Sequence, residues 1–70
     1  MAVEPRLARV VEFDEHRGLG FVETDAGERY PFHCTAIVDG TRTIAVGATV
    51  EVDVVNGPTG TYEATSLRDR

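Results

Sequence analysis

Two short runs hold the residues of this chain best suited to molecular recognition. They are Arg17-Gly18-Leu19-Gly20-Phe21-Val22 and Tyr30-Pro31-Phe32-His33-Cys34. An exposed aromatic ring stacks on a nucleobase, and each such contact is worth about 1–3 kcal/mol. Arginine pairs with phosphate and also stacks on bases. His33 can stack on a base or donate to a phosphate. Phe21 alternates with Val22, and His33 alternates with Phe32. If both runs are strands, Phe21 and His33 project onto one face.

Catalytic chemistry finds less support. Glu12 and Glu15 are carboxylates with no second catalytic group held against them. His33 and Cys34 are chain neighbours, and neighbours on a strand point to opposite faces, which argues against a dyad. Gly18-Leu19-Gly20 lacks a third glycine and enters a strand, so it is not a phosphate-cradling loop. Cys34 is the single cysteine, reads as an inert small hydrophobe, and has no metal-ligand spacing around it. A non-enzymatic chain without cofactor or metal is expected.

The elements that must position these side chains are short. Residues 7–13 read as a first strand, rich in β-branched and aromatic types, and the doubled Val10-Val11 permits a bulge. A polar turn, Asp14-Glu15-His16-Arg17-Gly18, leads to a second strand at 19–24, with His16 solvated in the turn. Asp25-Ala26-Gly27 makes a tight hairpin loop before a third strand at 29–33. Pro31 in that strand suits a sheet edge, where its missing N–H is not needed. Cys34-Thr35-Ala36-Ile37 allows one helical turn, and Asp39-Gly40-Thr41-Arg42-Thr43 is a loop. The cleanest signal is at 48–55, where Val50, Val52 and Val54 alternate with Thr49, Glu51 and Asp53. Asn56-Gly57-Pro58-Thr59-Gly60 is a turn, and 61–67 is the last strand.

Five short strands with close hairpins favour an all-β fold, a small antiparallel barrel of OB-fold type, with an SH3-like barrel as the alternative. The expected core is Val10, Val22, Tyr30, Phe32, Ile37, Ile44, Val50, Val52, Val54, Ala64 and Leu67. One domain spans residues 1–70, with an ordered barrel at about 6–68. A chain of this length buries only about 60% of its unfolded surface, so its stability should be marginal. No apolar stretch suits a membrane span, and residues 1–7 lack a signal-peptide apolar region, so a cytoplasmic setting is expected. Net charge is −5, and all seven cationic side chains are arginines. Nucleic-acid binders usually carry a basic footprint, so a weak partner is implied, although a local groove can differ from the total.

The order of these features resembles the cold-shock domain, a bacterial-type five-stranded OB-fold barrel, over residues 7–67. The family's first motif, lysine-glycine-phenylalanine-glycine-phenylalanine-isoleucine, is matched by Arg17, Gly18, Gly20, Phe21 and Val22, with Leu19 in place of the first phenylalanine. Its second motif, valine-phenylalanine-valine-histidine-phenylalanine followed by serine-alanine-isoleucine, is matched by Tyr30, Phe32, His33, Thr35, Ala36 and Ile37. Pro31 and Cys34 stand there for phenylalanines. Ile44, Gly47 and Val50 resemble its leucine-x-x-glycine-x-x-valine run, and Gly57-Pro58-Thr59-Gly60 resembles its last turn.

The departures fall on the binding face that the resemblance implies. Val11-Glu12-Phe13 replaces a lysine-tryptophan-phenylalanine run, and Thr59 stands where a basic residue often follows the glycine-proline. Glu12 cannot stack and repels phosphate. Losing a tryptophan and three phenylalanines removes several kcal/mol of stacking. That weakens affinity by more than about a hundredfold, at roughly 1.4 kcal/mol per factor of ten.

What the resemblance implies is single-stranded RNA or DNA binding, weak and sequence-tolerant, in an RNA chaperone or a regulator of expression. The candidate contact residues are Phe13, Arg17, Leu19, Phe21, Arg29, Pro31 and His33, with Arg9 and Arg42 around the face. The alternative is a protein-interaction or self-association module on the same barrel, since leucine, valine, proline, cysteine and glutamate make a small apolar patch with acidic rims.

Overall fold

Alternating valines produce the strands, and their inward faces make the core. The structure is a computed structural model that describes residues 5–38, 43–57 and 60–69. The strands are β1 (Arg6–Asp14), β2 (Leu19–Thr24), β3 (Arg29–His33), β4 (Thr49–Asn56) and β5 (Tyr62–Asp69), with a 3-10 turn at Cys34–Ala36. They match the expected segments to within two residues. No helix among the described residues is long and apolar enough to cross a membrane.

All strand pairs are antiparallel, in the order β3-β2-β1-β4-β5. The long β1 is central and pairs with both β2 and β4. The sheet curls until the segment after β3 meets β5. There Ile37 bridges Leu67 in parallel, and the Val38 N–H donates to the Leu67 carbonyl at 3.0 Å. This Greek-key closure is the OB-fold barrel, not the SH3-like alternative.

Val10, Val22, Val50 and Val52 are wholly excluded from solvent, and Phe32, Ile37, Ala64 and Leu67 are buried with them. Each large apolar side chain so buried contributes about 1.5–3 kcal/mol. Ala8 and Thr24, absent from the expected core, are buried opposite one another across β1 and β2. The Thr24 hydroxyl accepts from the Glu28 N–H at 3.3 Å, so its burial leaves no polar group unpaired. Tyr30, Ile44 and Val54 were expected inside and are only half-buried, packed against the core. β1 covers β4 only from Thr49 to Val52, so Val54 lies beyond the covered stretch. Tyr30 sits on β3, whose one ladder partner is β2, and Ile44 precedes β4 outside any strand.

Two irregularities shape the barrel. Val10 pairs with Val22 and Glu12 with Phe21, so Val11 is an extra residue, the bulge that the doubled valine permitted. The backbone of Val10 is satisfied instead by Gly47 and Ala48, at 2.7 and 2.9 Å. A second register shift lies on β5 opposite the stretch between Glu51 and Asp53, where Ser66 adopts φ 54°. The expected loop at 39–43 falls largely on residues outside those described, as do Pro58 and Thr59 of the last turn.

Candidate nucleic-acid interface

The outer surface of β1, β2 and β3 is a grid of three cross-strand rows. Directly opposed residues of an antiparallel pair share a face. The register therefore aligns Arg9, Glu23 and Arg29 in one row, Glu12, Phe21 and Pro31 in the next, and Asp14, Leu19 and His33 in the third. Each residue alternates with an inward neighbour: Val22 beneath Phe21, Phe32 beneath His33, Val10 beneath Arg9.

Phe21 and Leu19 are exposed at 37% and 47% of their surface, an unusual state for large apolar side chains at the centre of a sheet. Pro31 is half-buried beside Phe21. Phe21 and His33 share the face but sit diagonally, because each is directly opposed to another residue.

His33 is exposed and held in one orientation. It caps the 3-10 turn, its Nδ1 accepting from the Thr35 backbone N–H at 3.2 Å and lying 3.0 Å from the Thr35 Oγ1. A backbone amide can only donate, so in the neutral ring the proton resides on Nε2, which lies over Gly18. Thr35 was not singled out as a site residue; its place two positions after a histidine at a strand end is the signal of such a cap.

The Cys34 Sγ lies 3.9 Å from the His33 Nδ1, contrary to the expectation that the two point apart. The strand ends at His33 and Cys34 opens the turn, so alternation no longer governs it. Nδ1 is already occupied by Thr35, and the half-buried thiol packs where a Gly18 Cβ would stand, 2.7 Å away. Gly18, at φ 66°, admits both this turn and this contact.

Phe13, expected among the contact residues, lies on the opposite side of the sheet from Phe21. It opposes Gly20 on the inner side of the sheet, and its ring is parallel to that of Phe32 with centroids 5.9 Å apart. Gly20 leaves room for this arrangement, since a Cβ there would meet Phe32 ring atoms at 2.6 and 2.7 Å and the Glu12 carbonyl at 2.5 Å.

The charges on the face are mostly paired. Arg29 meets Glu23 at 3.4 Å, and both are exposed enough for solvent to screen the contact. Arg17, in the β1–β2 turn, is 3.9 Å from Asp14. The other Asp14 oxygen accepts from the backbone N–H groups of His16 and Arg17 at 3.0 and 3.3 Å. Among the described residues, Arg9 and Glu12 make no ion pair or side-chain hydrogen bond. Arg42 lies outside the described residues. Glu23 was missed as a modulator of Arg29; its alternation with the buried Val22 and Thr24 was the available signal.

The geometry offers an aromatic platform with apolar neighbours along β2 and across β3, an imidazole N–H, and arginines at both ends. Comparison with known proteins points the same way. The chain is 34% identical over 61 residues to Cold shock-like protein CspC of Bacillus cereus, covering 86% of this chain and 94% of that protein. The same-named protein of a second Bacillus cereus strain gives the same figures. No family model matches the chain.

Proposed function

This chain belongs to the cold-shock protein family, and on that premise we propose that it binds single-stranded RNA or DNA, weakly and with broad tolerance of sequence. The observation that carries the reading is the outward exposure of Phe21, with Leu19 beside it along β2, Pro31 beside it across β3, and His33 on the same face. A base stacks on Phe21, Leu19 and Pro31 give apolar contact to its neighbours, and the His33 Nε2–H donates to a phosphate or a base edge. Arg9, Arg17 and Arg29 attract the backbone at the rims. In the cell such binding serves an RNA chaperone or a regulator of expression.

The test is fluorescence anisotropy of labelled oligo-dT and oligo-U at about 20 and 200 mM salt. Binding that fades as salt rises and weakens in Phe21→Ala supports the proposal. No binding at the lower salt, together with a mass that grows with concentration in sedimentation, refutes it in favour of self-association through the same apolar patch.

A further inference from the structure

Among the described residues, Glu12 is the one carboxylate on the outer face of β1, β2 and β3 that nothing else engages. Glu23 faces Arg29, and Asp14 is committed to the backbone of its own turn and to Arg17. Glu12 is exposed and forms no hydrogen bond or ion pair among the described residues. The Val11 bulge places it directly opposite Phe21. Opposed residues on neighbouring antiparallel strands have Cβ atoms about 5 Å apart. A base lying on the Phe21 ring therefore has its edge within reach of the Glu12 side chain.

An ionised carboxylate offers acceptors only. The Watson–Crick edge of guanine presents two adjacent donors, N1–H and the N2 amino group, which match two carboxylate oxygens. Cytosine and adenine each present one amino donor beside an unprotonated ring nitrogen. Uracil and thymine present one N–H flanked by two carbonyl oxygens, both of which the carboxylate repels. Bases in single strands are read on these edges, and charge-assisted bidentate pairs are the strongest of such contacts.

We propose that Glu12 and Phe21 together form a guanine-selective subsite, Phe21 stacking the base and Glu12 reading its Watson–Crick edge. This rests on the single-strand-binding reading and sharpens it: tolerance holds along the strand except at one position, where guanine is preferred and uracil or thymine is disfavoured.

The test compares a labelled thymine heptamer with one carrying a single central guanine, by anisotropy at low salt. The wild-type protein is expected to bind the guanine heptamer about tenfold more tightly, a ratio ordinary for a bidentate base contact. Inosine at that position, lacking the N2 amino group, is expected to forfeit most of the gain. Glu12→Gln, near-isosteric at an exposed position, is expected to bind the thymine heptamer more tightly than wild type and to lose the guanine preference. Equal binding of both heptamers by the wild type overturns this subsite while leaving single-strand binding standing. So does a preference that survives Glu12→Gln. Failure of the wild type to bind either heptamer overturns the single-strand reading and the subsite with it.

Discussion

Phe13 and Phe32 lie parallel, their planes 2° apart and their centroids 5.9 Å from one another, on the side of the sheet away from Phe21. Two of the three phenylalanines thus pack into the barrel, and the third, Phe21, faces outward. Phe13→Ala is expected to cost about 2 kcal/mol of stability, less than the loss for a fully buried phenylalanine. The affinity of the folded protein for oligonucleotides should stay within about twofold of wild type. Urea denaturation followed by titration of the folded variant checks both halves.

Phe21→Ala should behave in the opposite sense. Its ring is 37% exposed, so stability should change by less than about 1 kcal/mol. Oligo-dT affinity should fall about tenfold, within the usual range for one stacked base. The same pair of measurements decides it.

Gly20→Ala tests close packing directly. The added methyl would stand 2.5 Å from the Glu12 carbonyl and 2.6 Å from the Phe32 ring. Neither neighbour can yield without moving the β1–β2 ladder or the core, so a loss of about 3 kcal/mol is expected. In a small domain that is enough to lower the urea midpoint sharply or prevent folding.

Salt dependence reports how many arginines meet phosphate. Single strands contribute a slope of about −0.7 per phosphate neutralised, so Arg9, Arg17 and Arg29 together predict a log–log slope near −2. Glu23→Gln releases Arg29 from its carboxylate partner at 3.4 Å. Affinity should rise about twofold and the slope should steepen slightly, as measured by anisotropy across a salt series.

Alkaline pH should weaken the fold through Tyr30. Burial, then the hydrogen bond and charge of Glu28, push its phenol above the ordinary 10.0. The folded state therefore holds the phenolic proton more tightly than the unfolded chain. That contribution is complete below pH 10 and is lost as pH climbs through the raised value. Urea midpoints from pH 8 to 11 should decline at the alkaline end, and decline less in Tyr30→Phe.

Much of this architecture is legible in the sequence because period-2 alternation is a local signal. Val50, Val52 and Val54 mark β4 unaided, and Val10-Val11 marks the irregularity in β1. The outward placement of Phe21 and His33 follows from Val22 and Phe32 beside them. What escaped depends on partners distant in the chain. The side taken by Phe13 is set only when the ladder with β2 is fixed. Ala8 and Thr24 are small, and their burial follows from facing one another across two strands. Tyr30 and Val54 have inward character, but the neighbouring strands stop short of covering them. The approach of Cys34 to His33 required knowing that the strand ends there, and the left-handed Ser66 has no signature comparable to glycine.

The additional residue in β1 works as a change of parity. Before it, even-numbered positions such as Ala8 and Val10 turn inward; after it, even-numbered Glu12 and Asp14 turn outward. Strict alternation through Val11 would turn Phe13 to the surface and Glu12 beneath it, whereas deleting Val11 would leave Glu12 opposite Phe21 and remove only the bulge. The acidity of the outer surface thus depends on Val11 being absorbed out of register as much as on the letters of β1.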